Sequence, residues 1–247
     1  MPGEFSKKYH KQTDFAFSIG SLPSDPQSWP KEWREIEHKE YPRLPKIKLP
    51  RSFLPLVPLE KALSARHATR EYDPGRNLSL EELSTLLHYS AGTRPRKKET
   101  DDIRRFYPSG GARYPLEIYP VIQKVDGIKP GVYHYNVKEH LLENLSNEKE
   151  DLELIREGLL YPWSRDAAVF FFITAVWERN FIKYKNRGYR IILMEAGHLA
   201  QNLSLLCAAL KIDCCNSVGF HNERINEVLA LENEIEDSLY LFITGKQ

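Results

Sequence analysis

The strongest periodic signal in the chain lies between residues 190 and 211. There Ile192, Ala196, Leu199, Leu203, Leu206 and Leu210 recur by fours and threes and share one stripe of a helix. A stripe of that length belongs in a core. An unbroken apolar run from Ala167 to Trp177 reads as a buried strand, because it is well short of the roughly 20 residues that span a bilayer. Leu116–Ile122 and Gly131–Tyr135 have strand character, and Leu239–Ile243 predicts a terminal strand ending at Gly245-Lys246. A helix is expected near 223–231 and a short one within 59–72. Ser79-Leu80-Glu81-Glu82 is a capping box that opens another helix, with Leu80, Leu83, Leu86 and Leu87 on one face. Helices interleaved with short antiparallel strands, partly as a meander, predict an α+β fold.

The first 58 residues break this pattern. Trp29-Pro30, Tyr41-Pro42, Leu44-Pro45 and Leu49-Pro50 forbid long helices, so residues 1–58 read as an extended arm and 59–247 as the folded domain. The aromatics of the arm, Phe15, Phe17, Trp29, Trp33 and Tyr41, predict that it lies on a surface such as that of a partner subunit. The charged stretch from Arg94 to Arg105 lacks apolar periodicity and reads as a solvated loop near the active site.

Charge then excludes some classes. Lysine and arginine total 35 against 34 aspartates and glutamates, so no global field favours nucleic acid or an anionic membrane. The three cysteines, Cys207, Cys214 and Cys215, have neither metal-ligand spacing nor the even count of a disulfide framework, and a reducing cytoplasm is the expected compartment. No secretory signal pattern opens the chain. Zinc, P-loop, GxSxG and GxGxxG patterns are lacking, and no metal site is expected.

Three segments carry candidate chemistry. Arg66 and Arg70 are four apart, which makes them either a solvated helix face or a two-pronged anion clamp. Ser109-Gly110-Gly111 is either a plain turn or a place where backbone amides approach a flat or anionic ligand. Lys183 and Tyr184, with Lys185, Arg187 and Arg190 nearby, sit at a junction where a desolvated lysine could act as a base or where basic residues simply line an interface. On the long helix, Glu195 and His198 are assigned to a helix–helix interface and Gln201 to the ligand pocket.

In this order the segments resemble the FMN-dependent nitroreductase-like superfamily, and within it the SagB/ThcOx-type dehydrogenases that form azoles in ribosomal peptides. The resemblance covers roughly residues 60–247. Arg66-His67-Ala68-Thr69-Arg70 is similar to the family's phosphate-binding segment, with Ala68 where serine is usual. Arg105 to Tyr119, through Pro108-Ser109-Gly110-Gly111-Ala112, is similar to the SagB-type flavin loop, and Ala112 in place of asparagine favours the peptide-oxidising branch. Lys183-Tyr184 and the run from Glu195 to Asn202 resemble the family's catalytic and helix motifs. Val218-Gly219-Phe220 resembles its Glu-Gly-Phe turn, with valine for glutamate.

What the resemblance implies is a mixed sandwich and a two-fold homodimer with FMN at the subunit interface. Arg66, His67, Thr69, Arg70, Pro108, Ser109, Gly110, Gly111, Gln201, Val218 and Gly219 would contact the cofactor, and Lys183 and Tyr184 would be catalytic. The expected reaction is oxidation of thiazoline or oxazoline rings in a modified peptide, within reach of a cyclodehydratase complex. An NAD(P)H-dependent reductase and a non-catalytic flavin-binding subunit are the alternatives.

Overall fold

The computed structural model describes residues 4–14, 25, 28–35, 38–95 and 104–247. Phe15 and Phe17, and residues 96–103 of the charged stretch, lie outside the described residues. Eight helices and seven strands follow one another among those described. In chain order they are α1 (Glu4–Gln12), α2 (Lys31–Arg34), β1 (Lys46–Lys48), α3 (Leu59–Ala65) and α4 (Leu80–Ala91). Then come β2 (Leu116–Ile122), β3 (Gly131–Asn136), β4 (Leu141–Ser146), α5 (Lys149–Gly158), β5 (Val169–Val176), α6 (Glu178–Tyr184) and α7 (Arg187–Leu210). The chain closes with β6 (Asp213–Ser217), α8 (Asn222–Val228) and β7 (Glu236–Gly245).

The strands form one antiparallel sheet in the order β1-β4-β3-β2-β5-β7-β6. The α+β expectation is met. β2, β3 and β4 make the meander, and β5 lies between β2 and β7 at the centre, with Leu116 opposite Ala175 and Ile122 opposite Val169. Because side chains alternate across a strand, an unbroken apolar run requires cover on both faces. Phe171, Ile173 and Ala175 point into the layer of α4 and α7, whereas Phe170 and Phe172 point into that of α5 and α8. A one-residue slip of β5 would exchange the two sets, so both cores fix its register.

Local signals hold where they are strongest. The Ser79 hydroxyl accepts from the Glu82 amide and the Glu82 carboxylate accepts from the Ser79 amide, so both halves of the capping box are formed. Among the described helices, α7 is long and apolar enough to cross a membrane, yet half of its apolar window is buried. Its stripe packs into the core with α4.

The described parts of the arm lie against their own chain. β1 pairs with β4 at the sheet edge. Lys39 pairs with Glu236 at 2.5 Å, and Tyr41 hydrogen-bonds Tyr119 at 3.0 Å. Tyr9 stacks edge-on against Tyr189, and the Arg190 guanidinium donates to the His10 carbonyl at 2.7 Å.

Candidate active site

Lys183 and Tyr184 stand on the last turn of α6, a short helix that leaves the end of β5 through Trp177. The helix stops because Lys185 adopts a positive φ of 46°, and α7 begins two residues later. Lys183 is 2% exposed, and its Nζ has no hydrogen-bonded partner among the described residues. Three rings surround it instead: Trp29 at 3.2 Å, Tyr184 at 5.4 Å and Trp33 at 5.7 Å from their centroids. Burial, together with the charge of Arg113, pushes the amine down to about 8. The Tyr184 phenol is pushed the other way by burial and by Glu195.

Ser109–Ala112 folds against this pair. Gly111 has φ 62° and ψ 18°, and Ala112 and Tyr114 also have positive φ, at 54° and 47°. Left-handed backbone costs a residue with a Cβ roughly 1–2 kcal/mol, so the loop persists only because its surroundings hold it. Ser109 Oγ accepts from the Tyr114 amide at 2.8 Å. Arg113 Nε donates to the Arg179 carbonyl at 2.7 Å, and Arg179 Nη1 donates to the Tyr114 carbonyl at 3.2 Å. Arg113 Nη1 also reaches the Glu35 carbonyl at 2.7 Å, which ties the arm to the loop.

A Cβ at Gly111 would lie 2.4 Å from Tyr184 Oη and 3.1 Å from Lys183 Nζ. Glycine at this position is therefore what lets the turn press on the lysine–tyrosine pair. Gly111→Ala is expected to displace Tyr184 and to cost about 1–2 kcal/mol from the backbone alone. Urea unfolding of the variant would measure it, and an unchanged midpoint would refute it.

Glu195 lies against α6, as a helix–helix contact requires: it is 2% exposed, and its Oε1 accepts from the Gly110 amide at 2.9 Å. Position 195 is three residues after Ile192 and four before Leu199 and so falls on the buried stripe, whereas His198 is exposed. One sequence-level assignment is corrected: Arg105 is not part of a wet loop. It is 2% exposed and donates to the Leu116 carbonyl at 2.9 Å, anchoring the loop where it enters β2.

Beneath the loop lies a charge cluster that the sequence did not disclose. Glu117 Oε1 accepts from Arg179 Nη1 at 2.5 Å, and its Oε2 lies 3.3 Å from His134 Nε2. His134 Nδ1 is 2.8 Å from Glu143 Oε2, and every one of these side chains is buried. Burial alone would neutralise Glu117, but Arg179, the His134 hydrogen bond and Arg105 outweigh it and hold the carboxyl below its usual range. For His134 burial acts downward, and the bonds to Glu117 and Glu143 overcome it to raise the imidazole.

The basic segment lies elsewhere. After α3 the chain crosses the start of β6, where the Thr69 amide donates to the Cys214 carbonyl at 2.8 Å and the Thr69 hydroxyl to Asp213 Oδ1 at 3.1 Å. Thr69 is thereby committed to holding the segment, while Arg66, His67 and Arg70 face solvent. His67 Nε2 is 3.9 Å from Asp213 Oδ1, and among the described residues no carboxylate pairs with either arginine. Val218, 69% exposed, and buried Gly219 stand at the far end of the same strand. A Cβ on Gly219 would meet the Tyr161 ring at 2.3 Å.

The candidate residues thus form two groups within one chain. Gly110 meets α7 at Glu195, whereas α3 packs near Leu206, about 16 Å further along the helix at 1.5 Å per residue. Pro108 and Gln201 are exposed, Gln201 on the outer face of α7 with Leu193, Met194 and Gly197.

Known proteins bear on this arrangement. The profile described as Nitroreductase family matches residues 63–246. A nitroreductase homologue of Methanocaldococcus jannaschii is 34% identical over 193 residues, 77% of this chain and 92% of that protein. The trifolitoxin-processing protein TfxB of Rhizobium leguminosarum bv. trifolii is 34% identical over 223 residues, 85% of this chain. This chain spans only 58% of the length of TfxB. The Escherichia coli microcin synthetase McbBCD complex with truncated pro-MccB17 contains a chain of the same fold, with TM-score 0.63 and 20% identity over 98% of this chain and 92% of that one.

Proposed function

The chain belongs to the nitroreductase family, and from that premise we propose that it is an FMN-dependent dehydrogenase that oxidises thiazoline or oxazoline rings of a ribosomally made peptide to azoles. The observation that carries this proposal is a buried amine, without a hydrogen-bonded partner, set beside a phenol and a glycine turn on one helix end. Reducing a substrate with nicotinamide requires flavin and access for the donor. Dehydrogenating a ring also requires a base at the carbon that loses its proton, and Lys183 is desolvated for that task. The peptide-processing relative supports the same substrate class.

The residues present suit FMN. Arg66 and Arg70 offer two exposed guanidinium groups for a phosphate. On the other side of the site, Lys183 Nζ is a buried polar atom without a hydrogen-bonded partner among the described residues. When bound, FMN supplies two-electron acceptance from the ring, with molecular oxygen as the final oxidant. Lys183 Nζ takes the ring proton. Tyr184, whose phenol is held protonated by burial and by Glu195, donates a hydrogen bond and does not compete as a base.

Arg66 and Arg70 follow α3, which meets α7 near Leu206 and not at Glu195, so in this reading a site shared between two copies of the chain brings one copy's arginines to the other's Lys183. The exposed Leu193 and Met194, 42% and 53% accessible, offer α7 as the contact. A cyclodehydratase complex would deliver the peptide.

Two measurements test the proposal. The purified protein should be yellow, release FMN on denaturation, and be bleached anaerobically by an azoline peptide; a colourless protein indifferent to FMN refutes it. Replacing Arg66 and Arg70 by alanine should weaken FMN binding by about 10- to 100-fold per residue, the equivalent of roughly 1.5–3 kcal/mol for each charged hydrogen bond. The nitroreductase homologue, 92% of which this chain covers, favours a second reading as an NAD(P)H-dependent reductase. Bleaching by NADPH, and not by azoline peptide, would establish that one.

A further inference from the structure

We propose that Glu195 is a positioning residue of this site, whose carboxyl group holds the Ser109–Gly111 turn in the place from which it presses on Tyr184 and Lys183. The inference rests on the proposed function for its meaning but on the fold for its geometry. Oε1 accepts from the Gly110 amide at 2.9 Å. Oε2 is buried without a well-formed partner, beside the Ser109 hydroxyl and the Asn180 side chain. Ser109 Oγ already accepts from the Tyr114 amide, so its own proton is free to turn toward Glu195. Asn180 shares α6 with Lys183, and its buried side-chain amide faces the same carboxyl group. The carboxyl group therefore sits where α7, the glycine turn and α6 converge.

The consequence for the turn is steric. Gly110 has Ile191 behind it, 2.8 Å from where a Cβ would stand, and Gly111 has Tyr184 and Lys183 in front. With the Gly110 amide pinned from α7, the turn cannot retreat from the lysine. The Gly110 amide is also spent in this bond, so the turn acts on the site through its shape and through its remaining groups.

Which property of Glu195 matters follows from its surroundings. Tyr184 faces it from α6, Ser109 and Tyr107 from the loop, and Arg105 from the loop's entry. Burial outweighs the hydrogen bonds from Gly110, Ser109 and Asn180 and the pull of Arg105, and pushes the carboxyl up to about 7. What the geometry shows is a hydrogen-bond acceptor, with Oε1 taking the Gly110 amide proton. A glutamine carbonyl can accept the same bond.

The test compares Glu195→Ala and Glu195→Gln with the wild type in two ways. Trace acetylation of the protein without flavin, read at Lys183 by mass spectrometry from pH 6 to 10, reports how tightly the turn covers the amine. FMN titration by flavin fluorescence reports the assembled site. Alanine should label Lys183 at least tenfold faster and bind FMN at least tenfold more weakly, while glutamine stays within threefold of wild type in both. Should the alanine variant fail to fold, Glu195→Asp, one methylene short of the Gly110 amide, replaces it with the same expectation. Wild-type behaviour of the alanine or aspartate variant overturns the proposal. So does a glutamine variant as impaired as alanine, since charge would then be what counts. If the wild type binds no FMN, the proposed function falls, and the labelling result still decides the role of Glu195.

Discussion

Glu117→Gln is expected to lower the unfolding free energy by roughly 3–5 kcal/mol at neutral pH, because it removes one partner from a buried ionic cluster and leaves the others uncompensated. Three cationic side chains face this carboxylate: Arg179 at 2.5 Å, His134 at 3.3 Å, and Arg105 through the low-dielectric interior. With the charge gone, Arg179 loses its ion pair and keeps neutral acceptors such as the Tyr114 carbonyl, and His134 is left with Glu143 as its one carboxylate.

The pH dependence has a definite sign. Glu117 is depressed in the folded state, so its stabilisation is present above the ordinary carboxylate value of 4.5 and fades as pH falls. His134 is raised, so its stabilisation is present below its ordinary value of 6.5 and fades as pH rises through the raised value. The gap between wild type and Glu117→Gln should therefore narrow in acid. Urea unfolding at several pH values measures it, and a loss under 1 kcal/mol at pH 7 would show that the cluster does not stabilise the fold. The same variant should loosen the Ser109–Tyr114 loop, because Arg179 ties Glu117 to Tyr114 and Arg113.

Lys183→Ala is expected to reduce turnover of an azoline peptide by about 10²- to 10⁴-fold, the usual contribution of a placed general base. FMN binding should change little, since the phosphate contacts proposed for it are Arg66 and Arg70 of the other group of residues. Lys183→Arg should not restore activity, because a guanidinium stays protonated. The base form of Lys183 is the neutral amine, so kcat/KM should rise with pH and level off above about 8. In Lys183→Ala that limb should vanish. Turnover within threefold of wild type, or an unchanged limb, would remove Lys183 from the chemistry and turn attention to Tyr184.

Most of the scaffold was legible in the sequence for a local reason. The stripe on α7, the capping box of α4 and the two-sided apolar run of β5 are each set by neighbours within a few positions, where helix and strand periods act directly. The motifs of the site were legible as motifs. Glu195 was legible as part of a helix–helix contact but not in what it bonds, because the role of a carboxylate on a buried stripe follows only once its buried partner is known. Here that partner is the amide of Gly110, 85 positions away. Arg105 was read as solvated for the same reason, its acceptor being a carbonyl in β2.

The Arg66–Arg70 segment shows both sides of this. Its composition marked it for an anion, but only the fold commits Thr69 to Asp213 and Cys214 and leaves both arginines exposed. The ionic cluster of Glu117, His134, Glu143 and Arg179 left no trace in any periodicity, since its members come from three strands and a helix. By itself the sequence determined which segments become helices and strands, because those properties depend on short spacings and side-chain type. Only the tertiary structure decided which polar groups are desolvated, which of them meet, and which are left without a partner, because burial and long-range approach are properties of the packed chain.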